Sequence, residues 1–231
     1  MKIDGGLPIG IPGSSDSTTD GIGEIAETVR RLEAAGYSGA WTAETSRDPF
    51  LPHMVAAEHT ESIELGTSIA VAFARNPMLL ANLGNDLQLY SSGRFILGLG
   101  TQIKPHITKR FSMEWSRPAD RMREMVLAIR AIWECWNEGA PMAFRGEFYR
   151  HTLMTPFSTR VPTRTEHPRC FSQPLDQRCQ KLLERYATDS SATASALRGF
   201  YAKSQSQLCS EASMPRAGPW TTLRSWVRAS W

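Results

Sequence analysis

Between Met1 and Glu138, short unbroken apolar runs alternate with stretches in which apolar side chains recur every three or four residues. The runs predict strands, and the spaced stretches predict helices packed by one face. Lys2 to Leu7 reads as a first strand. A Gly/Ser/Thr/Asp-rich loop leads into a helix with Ile22, Ile25, Val29 and Leu32 on one face, ended by Gly36 as a C-cap. Gly39 to Ala43 reads as the second strand and Pro52 to Thr60 as the second helix. Ile63 to about Phe73 reads as one long third strand. Asn76-Pro77 then offers a cap and an N1 proline to a third helix that buries Leu80, Leu83, Leu87 and Tyr90. Arg94 to Gly100 is a continuous apolar run, as suits a strand buried on both faces. A long loop follows, and then a fourth helix with Met122, Met125, Ile129, Ile132 and Trp136 as its core stripe.

This alternation predicts an α/β fold with parallel strands. Four β/α units over this stretch are half of a (β/α)₈ barrel, which takes about 250 residues. A doubly wound open sheet fits the same pattern, and periodicity does not separate the two. The net charge of +3 is uneven. Residues 158–231 hold eleven Lys and Arg against five acids, a surplus of +6, which leaves −3 for residues 1–157. A slightly acidic body argues against nucleic acid as its ligand, and the basic tail carries no nucleic-acid fingerprint. The start has Asp4 and paired glycines where a signal peptide needs an apolar run. No window approaches the ~18 apolar residues of a membrane span. Cys135, Cys170, Cys179 and Cys209 form no CxxC, so neither a zinc site nor a disulfide framework is indicated. A cytoplasmic protein is expected.

Particular strings narrow the choice. Arg31-Leu32-Glu33-Ala34-Ala35-Gly36-Tyr37 and Gly39-Ala40-Trp41-Thr42-Ala43-Glu44 resemble the first helix and second strand of luciferase-like enzymes. Ile63 to Pro77, Gly93 to Gly100, and Arg117 to Glu124 resemble that family's third strand, fourth strand and fourth helix. Their order and spacing hold from Met1 to about Phe157 and are most similar to the coenzyme F420-dependent branch. The resemblance implies the first four β/α units of a TIM barrel, with a deazaflavin ring over the C-terminal strand ends and FMN as the alternative. It also implies hydride transfer between that ring and a small organic substrate, sometimes with oxygen.

Candidate site residues follow. Glu44 comes after the second strand, at the end where TIM-barrel active sites lie. A carboxylate there orients substrate or passes a proton; the alternatives are a solvated loop acid or a helix-cap partner. The resemblance places Ser68, Ile69 and Ala70 in a third-strand bulge backing the ring, with a cis peptide by analogy, against an ordinary strand. Gly98 and Gly100 form a lone GxG without a dinucleotide fingerprint and read as close backbone approach to the ring. Thr101 and Gln102 begin the loop after the fourth strand and join the cofactor-binding set. Many family members carry an acid near Gln102, so His106 is the candidate replacement proton donor, against a solvated loop histidine. Arg75 reads either as a contact for an acidic cofactor or substrate group or as a surface residue beside the Asn76-Pro77 cap. His53 and His59, six apart, do not share a helix face, so no metal site is expected. The Trp133/Trp136 pair reads as core packing, and no Gly-x-Ser-x-Gly or Cys/His pairing indicates a hydrolase.

After Phe157 the composition changes. Residues 158–231 contain no isoleucine or asparagine but eleven serines and nine arginines. No β-branched apolar run suited to a buried parallel strand is found there. Read one base out of frame, Cys170 to Gln177 can back-translate to Val-Phe-Leu-Ala-Ala-Val-Gly-Pro, which resembles the family's fifth strand. Ser158 to Pro162 and Gln205 to Cys209 yield family-like strings in the same way. The expectation is a half barrel over 1–157 and an irregular, frame-shifted tail over 158–231. Strands one and four would then be open edges, prone to pair with other chains. The phosphate site that barrels often place after strands seven and eight would be missing, leaving an impaired oxidoreductase or a non-catalytic remnant.

Overall fold

Local signals set the helices. In the computed structural model, which describes residues 3–7, 22–160 and 168–172, a short 3₁₀ turn leads into α1 (Ile25–Ala34), with Ile25 and Val29 buried. Gly36, at φ +79°, ends α1 in the left-handed conformation that glycine adopts without a Cβ penalty. α2 spans Leu51–Glu58, with a proline in its first turn. α3 spans Pro77–Tyr90, and the Asn76 side chain accepts a hydrogen bond from the Met78 N–H at 2.8 Å, as an N-cap should. α4 spans Pro118–Glu138 and buries the expected stripe. The described residues all belong to the first of the chain's two units, Met1–Ser190. Lys2, the loop after the first strand, the Ile22 side chain and the Gln205–Cys209 string lie outside them.

The strands are β1 (Asp4–Gly6), β2 (Gly39–Thr42), β3 (Glu64–Thr67), β4 (Ala70–Val71) and β5 (Phe95–Gly100). β1, β2, β3 and β5 pair in parallel in chain order, and β4 also runs parallel on β5. A doubly wound sheet reverses its strand order at a switch point; a barrel does not. Here the order never reverses, and α1 packs on α2, α2 on α3, and α3 on α4. The protein is a partial (β/α)₈ barrel. Strand pairing thus separates the two architectures that periodicity left open.

Three expectations change. The long third strand is two, β3 and β4, interrupted at Ser68-Ile69 and ended by a 3₁₀ turn at Ala72–Ala74. On α3, Leu83 and Tyr90 are 36% and 47% exposed rather than buried. The helix turns Leu80, Ala81, Gly84, Leu87 and Gln88 inward, with the Gln88 side chain accepting from the Phe95 N–H at 3.0 Å. That arc leaves Leu83 and Tyr90 on the flank.

The third change lies past Phe157. Arg169–Ser172 forms a strand that pairs in parallel with β5, from Ile96↔Arg169 to Leu99↔Ser172. The ladder uses backbone groups, which any sequence supplies, and the buried Cys170 packs as a small apolar side chain. Arg169 points out to the Glu64 carboxylate at 2.5 Å. The fourth strand of the barrel is therefore not an open edge. Before this added strand, Phe144–Arg145 (β6) and Arg150–His151 (β7) form a small antiparallel hairpin, so the added strand is β8.

Candidate functional site

Parallel strands in a β/α fold bring their C-terminal ends to one side of the sheet, and ligands bind there. β2 ends at Thr42 and β3 at Thr67, the last pair in their register. Beyond it the chain improvises. The Ser68 N–H donates to the Thr42 carbonyl at 2.5 Å, the Ser68-Ile69 peptide is cis, and the Glu44 N–H donates to the Ile69 carbonyl at 3.1 Å. Glu44 Oε2 accepts from the Val71 N–H at 2.7 Å and from Arg75 Nη1 at 2.5 Å. Arg75 Nη1 also donates to the Val71 carbonyl at 3.0 Å, and Nη2 donates to Asp48 Oδ2 at 3.2 Å. Its guanidinium lies 5.4 Å from the Phe50 ring centroid. Glu44 is therefore not a solvated loop acid: its side chain is only 6% exposed, and it accepts from Val71, the residue that caps the 3₁₀ turn Ala72–Ala74. Arg75 is likewise committed within the protein.

The other strand-end residues pack around this point. Thr67 Oγ1 accepts from the Gly98 N–H at 3.0 Å and donates to the Gly98 carbonyl at 2.7 Å, carrying the β3–β5 ladder one step past its last backbone pair. A Cβ on Gly100 would sit 2.6 Å from Ile69 Cδ1, so that glycine makes room for the Ile69 side chain. Thr101 is buried and donates to the Gln102 carbonyl at 3.1 Å, and Gln102 holds φ +59°. Lys104 and His106 are exposed; His106 opens a single π-turn to Arg110, whose Nη2 donates to the Thr45 carbonyl at 2.5 Å. The structure thus gathers Glu44, Ser68, Ile69, Ala70, Gly98, Gly100 and Thr101 at one end of the sheet. Gln102 and His106 lie on the loop leading away from it.

His53 supports the same rim from below. It is fully buried, and its Nε2 lies 2.8 Å from the Thr42 hydroxyl. That hydroxyl donates to the Pro49 carbonyl at 2.8 Å, so it accepts from the His53 ring. Burial pushes the imidazole down to about 3. Its edge meets the Phe95 ring at 5.5 Å. His59 Nδ1 sits 2.9 Å from the Val55 carbonyl one helical turn back. Among the described residues, no group of three or more His, Cys, Asp and Glu is placed to hold a metal ion. None of the described helices is long and apolar enough to cross a membrane. A polar depression of about 370 Å³ at the start of α4 is lined by Glu114, Ser116, Arg117, Arg121, Glu147 and Phe148, none of them a strand-end residue.

A flat heteroaromatic ring with an anionic tail needs uncharged walls, backbone groups at its edge and no bare anion facing it. Ser68–Ala70 and Gly98–Thr101 carry no charge, and the Glu44 and Asp48 carboxylates are both paired to Arg75. The loop after β5 adds Lys104, Lys109 and Arg110. The residues present fit the ring end of such a cofactor.

The family model described as luciferase-like monooxygenase matches residues 1–175. The chain belongs to the luciferase-like monooxygenase family. It is 54% identical over 171 residues to an uncharacterised protein of Mycobacterium tuberculosis (strain ATCC 25618 / H37Rv), covering 74% of this chain and 47% of that protein. It is 27% identical over 161 residues to the F420-dependent glucose-6-phosphate dehydrogenase of Amycolatopsis mediterranei (strain U-32), 62% of this chain and 45% of that protein. EDTA monooxygenase from Chelativorans sp. BNC1 shares the fold, with a TM-score of 0.67 at 15% identity over 81% of this chain and 52% of that one. This luciferase-like chain spans about half the length of the curated relatives it matches.

Within this luciferase-like site, sequence reading missed Thr67, Asp48, Phe50 and Arg110. Asp48 had a signal, since it precedes the Pro52 helix as a cap would and accepts from the Phe50 N–H at 2.8 Å. Thr67, Phe50 and Arg110 act on residues far away in sequence and had none.

Proposed function

We propose that this chain carries the ring-binding part of a coenzyme F420-dependent oxidoreductase acting on a small organic substrate. Family membership and the F420-dependent relative support the cofactor class. The observation that carries the reading is the interrupted third strand: Ser68–Ala70 lies beside Gly98–Thr101 at the C-terminal strand ends, with both nearby carboxylates, Glu44 and Asp48, ion-paired to Arg75. Ser68, Ile69, Ala70, Gly98, Gly100, Thr101 and Gln102 would hold the ring through backbone groups and apolar contact. The bound deazaflavin would supply hydride acceptance or donation. The chain's own part is to place that ring, keep water from its buried face and present His106 on the exposed loop as the proton-carrying group.

Titrating the purified 231-residue chain with F420 and separately with FMN, followed by the fluorescence of each, tests the assignment. F420 is expected to bind at least about tenfold tighter, a difference of about 1.4 kcal/mol. The reverse preference would move the chain to the FMN-dependent monooxygenases of the family, and no binding of either would leave a non-catalytic remnant.

We propose also that residues 158–231 follow 1–157 through a shifted reading frame. The reading rests on the family-like string that Cys170 to Gln177 yields when shifted by one base. Sequencing the coding DNA across Phe157-Ser158 tests it: no alternative frame encoding further β/α units would remove the idea.

A further inference from the structure

Glu44 grips the interrupted strand at two alternate positions. Its N–H donates to the Ile69 carbonyl, and its side chain accepts from the Val71 N–H. β2 pairs with β3 only as far as Thr42↔Thr67, so no β2 backbone rung is left for Val71 and the carboxylate takes that place. Arg75 closes the ring by joining Glu44 Oε2 to the Val71 carbonyl. Both hydrogen-bonding groups of Val71 are thus held by one buried ion pair. Arg75 is steadied from behind by Asp48, which itself accepts from the Phe50 N–H where α2 begins. The ring of Phe50 lies beside the guanidinium.

We infer that Glu44 is a positioning residue rather than a proton donor. With Arg75 it fixes the Ser68–Val71 backbone on which, in the reading proposed above, the cofactor ring rests. Two donors converge on Glu44 Oε2, so a proton placed there would face two other hydrogens; the geometry suits an acceptor. The pair is 16% and 6% exposed, and at that burial an unsatisfied partner is costly, so the two side chains hold each other in place.

The test compares Glu44→Gln, Glu44→Ala and Arg75→Lys in the full chain by two measurements. One is amide hydrogen exchange in peptides spanning 68–75, with α4 peptides as the fold control; the other is the F420 dissociation constant. Glutamine keeps an acceptor oxygen for Val71 and Arg75, so Glu44→Gln should stay within about threefold of the parent in both. Glu44→Ala should speed exchange at 68–75 and weaken F420 binding by about tenfold or more, with α4 unchanged. Lysine lacks the planar fork that spans Glu44 and Asp48, so Arg75→Lys should loosen the same peptides, and it carries the test if Glu44→Ala does not fold. Glutamine as damaging as alanine, or unchanged exchange at 68–75 in both Glu44→Ala and Arg75→Lys, would overturn the inference. If the parent binds neither F420 nor FMN, the functional reading falls, and the exchange comparison alone upholds or overturns the clamp.

Discussion

Buried polar side chains do most of the local work at the rim, and His53 shows how. It sits at 0% exposure, bonded to the Thr42 hydroxyl at the end of β2, and burial holds its imidazole down to about 3. An unfolded chain would take up a proton there near pH 6.5, whereas the folded chain resists protonation until about 3. Between those values the unfolded state binds more protons, so stability falls as pH falls, by about 1.4 kcal/mol per pH unit. Above pH 6.5 this dependence vanishes. Urea midpoints of the parent and of His53→Leu, measured between pH 7 and pH 5, should diverge. The parent should lose stability more steeply on acidification, while the variant starts lower because the Thr42 hydroxyl loses the hydrogen bond it accepts from His53 and keeps only the one to the Pro49 carbonyl. Parallel pH profiles would show that His53 is not the group responsible.

The hairpin of β6 and β7 illustrates how one side chain can sustain a whole element. Its strands are two residues each, too short to persist through backbone pairing alone. Glu124 on α4 accepts from the N–H groups of Glu147, Phe148 and Tyr149 at 2.9, 2.7 and 2.7 Å. Gly146 lets it approach, since a Cβ there would overlap the carboxylate. Arg117 pairs with Glu147 and lies 4.7 Å from the Phe148 ring centroid, and Arg121 donates to the Tyr149 hydroxyl at 3.0 Å. Glu124→Ala should therefore destabilise the chain by about 1–3 kcal/mol and speed exchange in the 144–151 peptide. Loss of stability without faster exchange there would place the effect elsewhere on α4.

The assembled barrel segment depends on the stretch beyond Phe157. β8 covers the edge of β5, Arg169 reaches Glu64, and Arg160 pairs with Asp86 and Asn82 on α3 while lying 5.0 Å from the Trp136 ring centroid. A version ending at Phe157 would leave β5, a six-residue apolar strand, with an unpaired edge. It should aggregate in light scattering under conditions where the full chain does not. A monodisperse 1–157 fragment would show that β5 tolerates exposure and that β8 is dispensable.

Local spacing announced the β/α alternation, the Gly36 and Asn76 caps and the fully buried β5, because caps and burial periods are properties of neighbouring residues. The resemblance of Ile63–Pro77 to a known family pointed to a bulge over Ser68, Ile69 and Ala70, whereas the pattern read one continuous strand there; the break at Ser68-Ile69 comes from the structure. Strand order did not appear in the pattern, since every buried parallel strand has the same local character and only pairing distinguishes a barrel from an open sheet. The committed states of Glu44 and Arg75, 31 residues apart, and of Thr67 on Gly98, also 31 apart, depended on backbones meeting in space. β8 was hidden for a related cause: its place on β5 is held by backbone hydrogen bonds and by arginines reaching across the fold, and neither leaves an apolar period to read.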